Sequence, residues 1–261
     1  MLKRLMGIVS QLSVRELLEI SKVSENDPTI NICIVRHGKV QGSVDAGETI
    51  ALGGLNDERT YLSEIGEQEI IETAHKLKPE LEGIDSSRLY GYTNGLQRCQ
   101  KSYGVLFDTL GVTPCKFVMD SELNGRKYGD RIEGRPESEV YNPKTLLKEW
   151  DTTREYLKSQ VGSGKNSIGI EPKKAYKEKV LGAMDEILVK HNPGDVVIMC
   201  VNSDIPKVLS KDTLCKKIFT RSHQEKLHTG EYVWYTLKPW ACKMIQTLKV
   251  KKGIKQQDDV M

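Results

Sequence analysis

The sequence predicts an α/β fold, a three-layer sandwich with a mostly parallel sheet and helices on both faces, and three observations predict it. Ile32-Cys33-Ile34-Val35 and Val196 to Val201 are uninterrupted apolar runs, the pattern of strands buried on both faces. Segments of helical period alternate with the strand candidates along the chain, as crossover connections require. Polar residues crowd abruptly at the strand ends, Arg36-His37-Gly38 after the first run and Asn202-Ser203-Asp204 after the second.

A chain of 261 residues suits one large core, and with 29% charged and 38% hydrophobic residues it is expected to fold. The formal charge of +3 is too small to draw the whole chain to nucleic acid or a membrane surface, so neither is expected as a partner. No window approaches the ~18 apolar residues of a membrane-spanning helix. Six cysteines lie scattered without metal-like spacing, which makes a reducing compartment the expectation. The expected location is therefore the cytoplasm. An organelle is the alternative if amphipathic Met1 to Val23, with Lys3, Arg4 and Arg15, is a presequence. Glu16 and Glu19 count against that, and Ser13-x-x-Glu16 has the form of a capping box. Residues 1–30 are accordingly read as a helical extension, 31–248 as the domain and 249–261 as a polar tail.

In chain order, the first strand stops at Arg36, and Gly-, Asp- and Thr-rich residues 39–60 form a loop. Ser63 caps a helix with Ile65, Ile70, Ile71, Ala74 and Leu77 on its apolar face, and Pro79 lies just beyond it. Arg88 to Thr93 is the second strand; Asn94-Gly95 breaks it before a helix from Leu96 to Leu110 that Gly111 ends. Cys115 to Met119 is the third strand, followed by a polar loop to Pro136. Helical patterns cover 146–158 and 176–190, with residues 162–166 a loop tip between them. A helix over Ile205 to Leu214 follows the Val196 strand, and Tyr232 to Leu237 is the last strand. His75 and His191, on helical or helix-end segments, read as surface residues.

Ligands of such sheets sit beyond the carboxyl ends of the strands. That rule gathers Arg36, His37, Gly38, Arg98, Asn202 and Ser203 at one place. Arginine supplies the fork of donors that holds phosphoryl oxygens, and a neutral imidazole fixed by one nitrogen attacks phosphorus with the other. No cofactor is expected, and no metal, because arginines can neutralise the phosphoryl charge.

Several ordered segments also resemble the histidine phosphatase (phosphoglycerate-mutase-like) superfamily. Ile34-Val35-Arg36-His37-Gly38 resembles its R-H-G motif, and Leu62 to Gly66 the helix start that follows it. Leu96 to Ser102 is similar to the segment carrying the second phosphate-binding arginine, here Arg98. Leu123 to Gly129 looks like the L-N-E-R-x-Y-G segment of cofactor-dependent phosphoglycerate mutases. Val196 to Ile205 looks like the late strand that ends in the second histidine, and Thr229-Gly230-Glu231 like the turn before the last strand. By this resemblance Arg126, Tyr128 and Arg131 are substrate contacts, and the ligand is phosphate or a phosphorylated small molecule.

Two positions depart from the family's pattern. Asn202 stands where the second histidine is expected, and Gly125 where the acidic proton donor is. Losing a proton donor costs about 10²–10⁴ in rate. Asp120, Glu122, Asp130 and Glu133 share the loop where that acid would sit, and Glu122 is the favoured substitute; His223 and His228 precede the last strand. Two functions follow from the sequence. One is a weak phosphomonoester hydrolase working through a phosphohistidine on His37, with Arg36, Arg98, Asn202 and Glu122 assisting. The other is a catalytically degenerate member that binds a phosphate ligand or serves as a scaffold within a protein assembly. A mutase is disfavoured, since returning phosphate to a second hydroxyl needs the missing acid.

Overall fold

The computed structural model describes residues 13–127, 133–140, 171–222 and 227–251. The helical pattern expected at 146–158, the loop tip at 162–166, and Tyr128, Asp130, Arg131 and His223 lie outside these residues. Six strands form one sheet: β1 (Asn31–Arg36), β2 (Leu89–Thr93), β3 (Lys116–Met119), β4 (Val196–Val201), β5 (Phe219–Arg221) and β6 (Tyr232–Leu237). Their order is β3-β2-β4-β1-β6-β5. The first four run parallel, while β6 is antiparallel to both β1 and β5. The fold is thus a mixed, mostly parallel α/β sheet covered on both faces.

Period-two alternation divides the strand residues between two cores. Ile32, Ile34, Val197 and Met199 pack with Val180, Met184 and Ile187 of α6 (Lys173–Lys190) and with Cys242 and Ile245 of α9 (Pro239–Lys251). Cys33, Val35, Ile198 and Cys200 face the other way, against α3 (Glu64–Leu77) and α4 (Gln97–Leu110). Each such aliphatic side chain, removed from water, contributes about 1.5–3 kcal/mol, which explains why the uninterrupted runs read so plainly.

Among the described residues the remaining α-helices are α1 (Val14–Ser21), α2 (Gln41–Asp45), α5 (Glu137–Val140), α7 (Asp204–Lys211) and α8 (Thr213–Ile218). The Ser13–Glu16 capping box is formed at the start of α1, and Ile20 packs on Met244 and Leu248 of α9. Gly111, at φ +68°, ends α4 in the left-handed conformation that favours glycine. Among the described residues no helix is long and apolar enough to cross a membrane.

Several expectations need correcting. Ile65 is 51% exposed, because the buried stripe of α3 runs through Gly66, Ile70, Thr73, Ala74 and Leu77, one residue out of phase with it. The helix expected over Ile205 to Leu214 is two helices: Asp212 takes an extended conformation and its carboxylate accepts the Leu214 and Cys215 N–H groups that open α8. His191 is buried, not superficial. Its Nε2 is paired with the Tyr92 hydroxyl at 2.9 Å and its ring meets Tyr90 edge-on, at the sheet edge where β4 begins. Residues 39–60, expected as a loop, contain the short helix α2. β5, α5 and α9 complete the fold beyond the expected elements, and α9 carries buried Lys249, whose Nζ donates to the His191 carbonyl.

Candidate active site

Register brings the key residues together before any side chain is considered. β1 and β4 are paired from Asn31↔Val196 to Arg36↔Val201, and β2 and β4 end with Thr93 opposite Cys200. His37, Asn202 and Asn94 therefore emerge side by side from three neighbouring strands at one carboxyl edge. The His37 N–H donates to the Val201 carbonyl at 3.2 Å, extending the ladder one residue past the strand. The Gly230 N–H is shared between the Arg36 and His37 carbonyls, so the Thr229-Gly230-Glu231 turn braces the same corner.

His37 is 2% exposed. Its Nδ1 lies 2.8 Å from the Gly38 carbonyl, which can only accept, so Nδ1 carries the proton and Nε2 keeps its lone pair. Burial pushes the imidazole well below its ordinary value, and the charges of Arg98 and Arg36 push it further. Burial and the two cations thus favour the neutral ring, in the tautomer that leaves the Nε2 lone pair free. Gly38 donates its N–H to Ser102 Oγ at 3.2 Å and lies against Gly66, where a side chain on either glycine would run into the other segment's backbone.

Arg98, on the first turn of α4, is fully buried. Its Nη1 donates to the Leu55 carbonyl at 2.7 Å and its Nη2 to the Gly53 carbonyl at 2.9 Å, while its Nε has no partner among the described residues. Arg36 sends Nη1 to the Leu227 carbonyl at 2.9 Å, and its buried Nε is likewise unpartnered. Neither guanidinium forms an ion pair among the described residues; Glu133 and Asp204 act on Arg98 only through space. One buried and one half-buried cation beside the histidine, with donors left over and no carboxylate on them among the described residues, form a cradle for an anion.

Asn202 is 6% exposed. Its Oδ1 accepts from Asn94 Nδ2 at 3.0 Å and from the Cys99 thiol at 3.4 Å. Ser203 follows it as the residue before α7. A Cβ on Gly125 would lie 2.7 Å from Asn202 Nδ2 and 2.7 Å from the Gly53 carbonyl, so the place of the expected acid is filled by backbone and amide. Glu122 is exposed on the turn Ser121–Leu123, its N–H donating to Asp120 Oδ1. Glu133 lies closer to the arginines in effect: its carboxylate accepts the Gly54 N–H at 3.0 Å and its charge acts on Arg98. Arg126 is turned to the chain ahead of α6, with Nε donating to the Glu171 carbonyl at 2.7 Å. His228 is exposed.

Sequence reasoning passed over Asn94, Ser102 and the Gly53 and Leu55 carbonyls. The carbonyls leave no trace in residue type. Ser102, four residues after Arg98, was legible only as the helix face that carries the arginine.

The sequence profile of the histidine phosphatase superfamily (branch 1) matches residues 32–231, and the chain belongs to that superfamily. Its fold is similar to that of a phosphoglycerate mutase from Bacillus anthracis, with a TM-score of 0.57 at 14% identity over 86% of this chain and 99% of that one. It is also similar to a structure described as mycobacterial hydrolase 2, with a TM-score of 0.53 at 14% identity over 80% and 82% of the two chains. A mycobacterial glucosyl-3-phosphoglycerate phosphatase in complex with VO3 gives 0.51 at 14% identity over 78% and 90%. No curated protein matches the chain.

Proposed function

We propose that this protein is a slow phosphomonoester hydrolase acting through a phosphohistidine on His37, with residues 31–248 as the catalytic domain. One observation carries the reading: a histidine held by its Nδ1–H lies beside a buried arginine, Arg98, and a half-buried one, Arg36, whose Nε–H groups have no partner among the described residues. In the first step His37 Nε2 forms a bond to phosphorus as the bond to the leaving oxygen breaks, and that oxygen takes a proton or departs as the anion. In the second, water attacks phosphorus, the N–P bond breaks, and His37 returns to its neutral state as phosphate leaves. Arg36 and Arg98 hold the phosphoryl oxygens throughout. Glu122 or Glu133 is the candidate proton donor. Turnover of para-nitrophenyl phosphate tests this, since its good leaving group departs without a proton. The wild type should hydrolyse it weakly, with the rate lost in His37→Ala and reduced about 10²-fold or more in Arg98→Ala. A rate unchanged in His37→Ala would remove the reading.

Binding without turnover is the second reading, favoured by the same two positions that depart from the family's pattern. Asn202 is uncharged, and a side chain at Gly125 would meet the Gly53 carbonyl that receives Arg98. Restoring the family pair with Asn202→His and Gly125→Glu would therefore disturb the arginine's support as well as add an acid. The ligand under either reading is phosphate or a phosphorylated small molecule, with membership of a protein assembly as a role for the binding form.

A further inference from the structure

We infer that Asn94 is a positioning residue that turns the Asn202 amide into a fixed hydrogen-bond donor for the phosphoryl group, an inference that rests on the phosphate-site reading above. Asn94 is fully buried, and both ends of its own amide are assigned by backbone groups. Its Oδ1 accepts the Leu96 N–H at 3.0 Å, so that end is oxygen; its Nδ2 donates to the Leu123 carbonyl at 3.1 Å, so that end is nitrogen. The second hydrogen on the same Nδ2 is directed to Asn202, 3.0 Å away. A donor on Asn94 demands an acceptor opposite it, so the contacting atom of Asn202 is Oδ1. The Cys99 thiol, 3.4 Å from the same oxygen, makes the same demand.

With Oδ1 claimed from behind, Nδ2 of Asn202 points the other way, toward Gly125 and the Gly53 loop that supports Arg98. It donates to no described residue. Flipping the amide would set two N–H groups face to face at Asn94 and turn a carbonyl oxygen toward the arginine cradle. The cost is a buried donor left unsatisfied, which holds one orientation. Where an imidazole would gain and lose a proton, this site has a neutral donor whose hydrogen-bonding capacity does not change with pH. Asn94 needs no contact with the ligand to do this, and its own bonds tie the ends of β2 and β4 to the Ser121–Leu123 turn.

Vanadate affinity, measured by thermal-shift titration and calorimetry, tests the assignment in the full-length protein. Asn202→Ala should weaken binding about tenfold, the value of one hydrogen bond to a charged ligand. Asn94→Ala should weaken it severalfold in the wild-type background and not at all in the Asn202→Ala background, because its effect passes through that amide. The Asn202 side-chain NH₂ resonance, identified by its disappearance in Asn202→Asp, should shift when vanadate is added to the wild type. This readout survives even if Asn94→Ala folds poorly. Equal losses from Asn94→Ala in both backgrounds, or an unmoved Asn202 resonance with vanadate bound, would overturn the assignment while leaving the arginine site standing. Absence of vanadate binding to the wild type would overturn both.

Discussion

His37 sits in surroundings that deny it a proton: it is buried, and two guanidiniums act on it from nearby. A group whose folded-state value lies below its unfolded value binds fewer protons in the folded chain. Stability attached to it is present above the ordinary imidazole value of 6.5 and is lost as pH falls from there toward the folded value. His37→Gln should therefore lose less stability than the wild type between neutral pH and pH ~5 in urea titrations; equal losses would mean that the ring is not held neutral. The same residue shows what was legible beforehand. Charge placed directly after a buried apolar run marked Arg36 and His37, and the coincidence of strand ends with the ligand edge in parallel sheets joined Arg98 to them. Asn94 reads as a strand breaker because that is what Asn-Gly does locally, and its bonds to Leu123 and Asn202 depend on register that no local pattern encodes.

At the scale of elements, the loop after β1 and the start of α3 approach so closely that Gly38 and Gly66 have room for no side chain. Gly66→Ala should cost about 1–3 kcal/mol in chemical denaturation, and should also lower turnover, because the backbone it displaces leads directly from His37. Asp212 offers the contrasting case. It caps α8 and pairs with Lys177 at 2.8 Å. Asp212→Ala should cost about 1–2 kcal/mol with vanadate affinity unchanged, since neither contact reaches the site. A loss of affinity there would mean that α8 is coupled to the site. The sequence suggested one continuous helix at this point because Ile205 to Leu214 keeps its apolar spacing across the break. An aspartate in the middle reads equally as a surface residue or a cap until its neighbours are known. His191 reads as a surface residue for a related reason: a polar residue at a helix end is usually solvated, and only the fold supplies Tyr90 and Tyr92 as partners.

For the whole molecule, the parallel core and its two covered faces were legible from β1 and β4 alone, whereas the antiparallel edge was only half visible. Tyr232 to Leu237 alternates between half-buried and buried residues and is legible as a strand; Phe219–Arg221 is three residues long and carries no pattern of its own. An anion that binds only the folded chain must stabilise it by mass action, by about 2.7 kcal/mol at a hundredfold excess over the dissociation constant. Saturating vanadate should accordingly raise the midpoint of thermal unfolding in the wild type and leave Arg98→Ala unmoved. The central claim, that Nε2 of His37 is the nucleophile of a phosphate site, is tested most directly by trapping its product. Wild type mixed with para-nitrophenyl phosphate, quenched in alkaline denaturant and digested, should yield a phosphorylated peptide with the modification on His37, absent from His37→Ala. Phenolate release by the wild type with no phosphohistidine at position 37, or the same release by His37→Ala, would contradict the account.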